Sequence, residues 1–147
     1  MKQNDLILSS ATDLGLNTPY VKGHEPIVKN CWHFSTDGKG VDSLFYTVED
    51  FVAGMNRIAA LSDEYPEVII LAFVLMDTHV HFVLYGDFEA CRRFVHEYVR
   101  RTSIYISNIY GERHKLRHLP IDFQVIGDQR YLKTVICYVI KNPPPVL

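Results

Sequence analysis

His79 and His81 stand two residues apart in the segment HVHFVLY, and strand geometry would project both imidazoles from one face. Neutral imidazoles placed side by side can bind one metal ion through their nitrogen lone pairs. The same pattern also serves ordinary sheet packing, so a metal reading needs a further ligand and a reaction. Tyr138 and Asn142, four residues apart near the end of the chain, would share one face of a helix and point a phenol and a carboxamide oxygen the same way. Asn142 would complete a mixed nitrogen and oxygen donor set suited to Mg2+ or Mn2+. The plainer alternative makes Tyr138 a half-buried aromatic and Asn142 the residue that ends its helix before Pro143. A structural zinc site of Cys31, His33, His79 and His81 is a third reading, and it predicts a domain that unfolds under a chelator.

The elements that must hold these groups can be read from periodicity and punctuation. CWHFST alternates as a strand, in which Trp32 and His33 read as sheet packing, and DGKG follows as a loop. Thr47 is placed to cap a helix with Glu49 and Asp50 in its first turn and with Phe51, Met55, Ile58 and Leu61 at helical spacing. The apolar run over residues 68–76 predicts a central strand covered on both faces. Asp77-Thr78 then breaks the chain into a hairpin with the histidine strand, where Val80, Phe82 and Leu84 oppose His79, His81, Val83 and Tyr85. Asp87 caps a long helix with a stripe of Cys91, Val95, Tyr98, Thr102 and Ile106, ending before Gly111. Residues 121–126 form a further strand, and Asp128 caps a last helix through Leu132, Val135, Ile136 and Val139. Strand, helix, strand, strand, helix, strand, helix is the α+β order of a ferredoxin-like split βαβ antiparallel sheet, with an additional C-terminal helix carrying the tyrosine.

At 147 residues, with 48% hydrophobic and 22% charged residues, the chain has the size and composition of one globular domain. Residues 1–30 show no sustained period and read as an N-terminal extension to a domain over residues 31–147. The apolar run over residues 68–76 is about half a membrane span. With no basic flank before a long apolar stretch at the start, and three widely spaced cysteines that pack as small hydrophobes, the expectation is a soluble cytoplasmic protein. Charge is unevenly distributed: residues 1–91 hold five Lys/Arg and thirteen Asp/Glu, whereas residues 92–147 hold ten and four. A basic C-terminal half could serve a polyanion or simply be a solvated surface.

HVH on a strand, followed by YLKTVICYVIKNP, resembles the one-tyrosine HUH transposases, including the REP-associated branch and the short insertion-sequence transposases. WHFSTDGKG and LFYTVEDFVAGMNRIA resemble the first strand and helix of that family, so the likeness runs from about Cys31 to Pro143. The resemblance implies His79 and His81 as paired metal ligands, Tyr138 as nucleophile and Asn142 as the polar ligand from the same helix. It implies Mg2+- or Mn2+-dependent cleavage and rejoining of single-stranded or hairpin DNA through a 5′-phosphotyrosine intermediate. Tyr131, on nearly the same helix face, is a second-choice nucleophile, and Lys133 and Lys141 are candidates to assist ionisation of the phenol. Arg92, Arg93, Arg100 and Arg101, with Arg113, Lys115 and Arg117 in the following loop, would neutralise phosphates, and Tyr105, Tyr110 and His114 would stack on bases. A domesticated relative that binds hairpins without cutting them is the alternative. Members of the family act as homodimers or as monomers, and the resemblance leaves that choice open.

Overall fold

The computed structural model describes residues 3–36, 43–111 and 119–141. Its elements run α1 (Gln3–Asp13), β1 (Cys31–Thr36), α2 (Val48–Glu64), β2 (Ile69–Leu75), β3 (Val80–Tyr85), α3 (Phe88–Tyr110), β4 (Ile121–Val125) and α4 (Gln129–Lys141). The four strands make one antiparallel sheet in the order β2-β3-β1-β4, the ferredoxin-like arrangement that the element order implies.

Period-two alternation divides the side chains of this sheet between two cores. On the first face Phe34, Val80, Phe82 and Leu84 are buried under α2 and α3 with Leu61, Phe94, Tyr98 and Ile106. On the second face Cys31, Val83 and Tyr85 are buried with Leu14 and with Leu132, Val135 and Val139 of α4. The residue types that alternate along β3 therefore decide which core each side chain enters.

Local chemistry starts and stops the helices as expected. Thr47 Oγ1 accepts the Asp50 N–H and Asp50 Oδ2 accepts the Thr47 N–H, each at 3.2 Å, a reciprocal capping box. The buried Asp50 carboxylate also accepts the hydroxyls of Tyr105 at 2.8 Å and Tyr110 at 2.5 Å, tying the start of α2 to the end of α3. Gly54 leaves room for Phe45 and Tyr98: a Cβ there would lie 2.6 Å from Phe45 Cε1 and 3.1 Å from the Tyr98 hydroxyl, which donates to the Gly54 carbonyl at 3.1 Å. Met55 is 47% exposed, so the buried stripe of α2 passes through Gly54. Asp128 Oδ1 accepts the Tyr131 N–H at 2.8 Å at the start of α4.

Two expectations meet a different outcome. β2, expected to be central, is an edge strand. Helices cover both of its faces, and a bulge between Ile70 and Ala72 places both Leu71 and Ala72 against the second core, so the run is apolar although one edge has no partner strand among the described residues. Residues 1–30, expected as an extension, contribute α1 and Leu14 to the second core. Tyr85 donates to Asp13 at 2.5 Å, Gln129 Nε2 donates to the Leu14 carbonyl at 2.9 Å, and the Val28 N–H meets the Gly127 carbonyl at 3.0 Å.

Candidate metal and nucleophile site

The second face carries the histidines. Ser35 pairs with His81 and His33 with Val83 in the β1–β3 register, so His33 and His81 are diagonal neighbours on one face. Their rings stack with centroids 5.2 Å apart, and His33 Nε2 lies 3.0 Å from His81 Nδ1. His79 immediately precedes β3, its ring edge-on to His81 at a centroid distance of 5.0 Å and its Nδ1 3.1 Å from Thr78 Oγ1. Three imidazoles thus form a continuous cluster over β1 and β3.

α4 supplies the fourth ring. Leu132, Val135 and Val139 turn one side of α4 onto the sheet, which leaves Tyr138 on the helix shoulder, 55% exposed, with its ring edge-on to His81 at 5.7 Å. The Tyr138 hydroxyl makes no hydrogen bond among the described residues. Tyr131 is engaged elsewhere: its hydroxyl donates to Gln124 Oε1 of β4 at 2.5 Å. Of the two candidate nucleophiles, Tyr138 is the one brought against a histidine.

His81 is 7% exposed, and its pKa falls to about 4, first because burial disfavours the cation and then through the positive charges of His33 and His79. Burial also lowers the pKa of His33. His81 is therefore neutral at pH 7 and retains an imidazole lone pair. Its Nδ1 faces His33, while its Nε2 is buried with no hydrogen-bond partner among the described residues. A buried imidazole nitrogen without a partner beside a second imidazole is the donor chemistry a divalent cation needs, so His81 and His79 fit the implied metal. Among the described residues, no three His, Cys, Asp or Glu side chains are arranged to hold a metal ion by themselves. The zinc reading needs Cys31, His33, His79 and His81 around one ion, and they form no such group among the described residues. Further oxygen donors would have to complete the set; Asn142 falls outside the described residues.

None of the expected phosphate contacts among the described residues is brought near this site. Arg92, Arg93, Arg100 and Arg101 sit on α3, which packs against the first face, so the sheet lies between that helix and the histidines. Arg92 pairs with Glu89 at 3.1 Å, Arg100 with Glu97 at 2.6 Å, and Arg101 joins Glu97 to Glu64. Arg93 is exposed and has no ion-pair partner among the described residues. Tyr105 and Tyr110, expected to stack on bases, give their hydroxyls to Asp50. Arg113, His114, Lys115 and Arg117 lie outside the described residues. By contrast α4, which carries Tyr138, has exposed Arg130, Lys133 and Lys141 and no acidic residue. Cys137, expected to pack as a small hydrophobe, is exposed on the outer side of α4 next to Tyr138.

Sequence reading joined His33 to His79 and His81 only in the zinc alternative and otherwise gave it to sheet packing. Its alternation with Trp32 was legible, but its neighbour across the sheet depends on β1 pairing with β3 in this register.

No family model matches the chain, and no curated protein matches it. The fold is similar to a crystal structure from Deinococcus radiodurans R1 described as a putative transposase, with a TM-score of 0.51 and 12% sequence identity, covering 88% of this chain and 100% of that one. At that identity the likeness shows a shared, transposase-like fold.

Proposed function

We propose that the protein is a metal-dependent single-stranded DNA transposase or endonuclease that cleaves and rejoins DNA through Tyr138. The observation that carries this reading is the placement of an exposed tyrosine ring on His81, whose buried Nε2 has no partner among the described residues. A transposase-like fold supports DNA as the class of substrate. No described helix is long and apolar enough to cross a membrane.

His79 and His81 would hold Mg2+ or Mn2+ with Asn142 as a further oxygen donor. Such an ion supplies Lewis-acid polarisation of a non-bridging phosphate oxygen. The Tyr138 phenolate attacks the phosphorus; the Oη–P bond forms as the P–O3′ bond breaks, leaving a 5′-phosphotyrosine and a 3′-hydroxyl that takes up a proton. Attack of a 3′-hydroxyl on the phosphotyrosine reverses the exchange and rejoins a strand without an external energy source. Lys133 and Lys141, exposed on the same helix, are the candidates to assist loss of the phenol proton. Arg130 and the same lysines would also neutralise phosphates near the nucleophile.

The test is incubation with 5′- and 3′-labelled single-stranded hairpin oligonucleotides from the sequences flanking the gene, with Mn2+, followed by denaturing gels. The expected product is a covalent adduct carrying the DNA 3′ of the cut, lost in Tyr138→Phe and in EDTA. Tight hairpin binding without adduct would replace this reading with that of a noncatalytic binding protein.

A further inference from the structure

We infer that His33 is a positioning residue that holds His81 in the Nδ1–H tautomer and thereby presents the Nε2 lone pair to a divalent cation. The inference rests on the reading of His79 and His81 as a metal pair, and it assigns a task to a side chain that the proposed reaction does not use.

The hydrogen bond between His33 Nε2 and His81 Nδ1, 3.0 Å long, can be made in two ways by neutral rings. If His33 donates, the His81 proton must sit on Nε2, which is buried without an acceptor among the described residues. A buried N–H with nothing to receive it carries the full desolvation penalty of the group. If His81 donates from Nδ1, its Nε2 carries a lone pair instead of an orphan proton, and a cation satisfies that lone pair. Metal-bound imidazoles generally donate their second N–H to a fixed acceptor, which sets ring orientation and tautomer. His33 Nε2 is the acceptor in that position, supplied by the adjacent strand at a diagonal register fixed by ladder hydrogen bonds. His79 has a separate support, with its Nδ1 3.1 Å from Thr78 Oγ1. The two members of the pair are therefore oriented independently, one by a strand and one by the hairpin turn.

The first measurement uses the metal-free wild-type chain with 15N-labelled histidine at pH 7. Long-range proton–nitrogen correlation spectra should show His81 with a protonated Nδ1 and a bare Nε2; the opposite tautomer would overturn the inference before any metal is added. The second measures Mn2+ affinity by calorimetry, with circular dichroism to confirm folding. His33→Leu should weaken Mn2+ binding about 10–100-fold, and His33→Gln, whose Oε1 can accept the same N–H, should recover most of the loss. Wild-type affinity in a folded His33→Leu, or a folded His33→Gln no better than His33→Leu, would overturn it. Failure of the wild-type chain itself to bind Mn2+ would instead remove the metal reading, an outcome distinct from a wrong tautomer. If His33→Leu does not fold, the wild-type tautomer and the glutamine variant still decide.

Discussion

The two faces of the sheet are built from similar apolar residues and do different things with polar ones. Under α2 and α3 the buried polar groups Asp50, Tyr98 and Thr102 all have partners within the protein. The orphan nitrogens on that side, Arg57 Nε and Nη2, belong to a guanidinium lying 4.9 Å from the Tyr105 ring centroid and 5.7 Å from that of Tyr98, where cation–π attraction offsets part of the lost hydration. Under α4 the buried His81 Nε2 has no hydrogen-bond partner among the described residues, and its ring lies among those of His79, His33 and the exposed Tyr138. The first face holds partners for Asp50, Tyr98 and Thr102; on the second, a buried nitrogen has none among the described residues. The alternation of β3 makes the division, because Phe82 and His81 are adjacent in sequence and opposite in space.

The sharpest break in this comparison is at Tyr138, the proposed nucleophile. Tyr138→Phe removes one oxygen from an exposed ring on the second face, so covalent adduct formation should fall by at least about 10³-fold while folding is unchanged. Tyr131→Phe should leave adduct formation within a few-fold of wild type, since its hydroxyl is bonded to Gln124. Adduct yield on denaturing gels checks both, and a reversed pattern would move the nucleophile to Tyr131.

The first face should answer in the other currency. Phe94 is fully buried among Tyr65, Phe82 and the rest of that core, so Phe94→Ala should cost about 3–5 kcal/mol of stability in denaturant titrations. The fraction that remains folded should bind Mn2+ as the wild type does. Loss of metal affinity in that folded fraction would show the two faces to be coupled through β3.

Much of this division could be read from the chain because it rests on local rules. The Thr47 cap, the buried stripe of Cys91, Val95, Tyr98, Thr102 and Ile106, and the opposite facing of Phe82 and His81 follow from hydrogen-bond and periodicity requirements within single elements. What failed needed long-range pairing. An apolar run reads as central whether helices or strands cover it, so β2 could not be told from an inner strand. α1 places Leu6 and nearby Leu14 against the sheet while Ile7 and Leu8 stay exposed, which leaves no clean stripe to detect. The ion pairing of Arg92, Arg100 and Arg101 with Glu89, Glu97 and Glu64 likewise needed α3 to form and to meet α2. The position of His33 followed from the β1–β3 register and from nothing within β1 itself.

The two helices that flank the sheet extend the same contrast to charge. α4 carries Arg130, Lys133 and Lys141 without an acid, whereas three of the four arginines on α3 are already paired. Arg130→Ala with Lys133→Ala should weaken single-stranded DNA binding about tenfold near physiological salt and reduce the salt slope by about 0.7 per charge removed. Arg92→Ala with Arg100→Ala should stay within about twofold. Fluorescence anisotropy across a salt series separates the cases, and a larger effect from the α3 pair would place the DNA on the first face.

The smallest effect belongs to the ion pairs of α3 themselves. Arg100, with further help from Arg101 and against a burial contribution of opposite sign, holds the Glu97 carboxyl down from its ordinary 4.5 to about 2. A carboxyl whose pKa is lower folded than unfolded stabilises the protein above its unfolded value, and that contribution disappears as pH falls through the folded value. Glu97→Gln should therefore lower Tm above pH 5, by about 2 °C at most because the pair is near solvent and screened. The difference from wild type should shrink as pH is lowered from 5 toward 2, and 1 M NaCl should shrink it at neutral pH. A Tm difference independent of both pH and salt would mean that Glu97 matters through packing, and α3 would then hold its arginines too loosely to account for their weak effect on DNA.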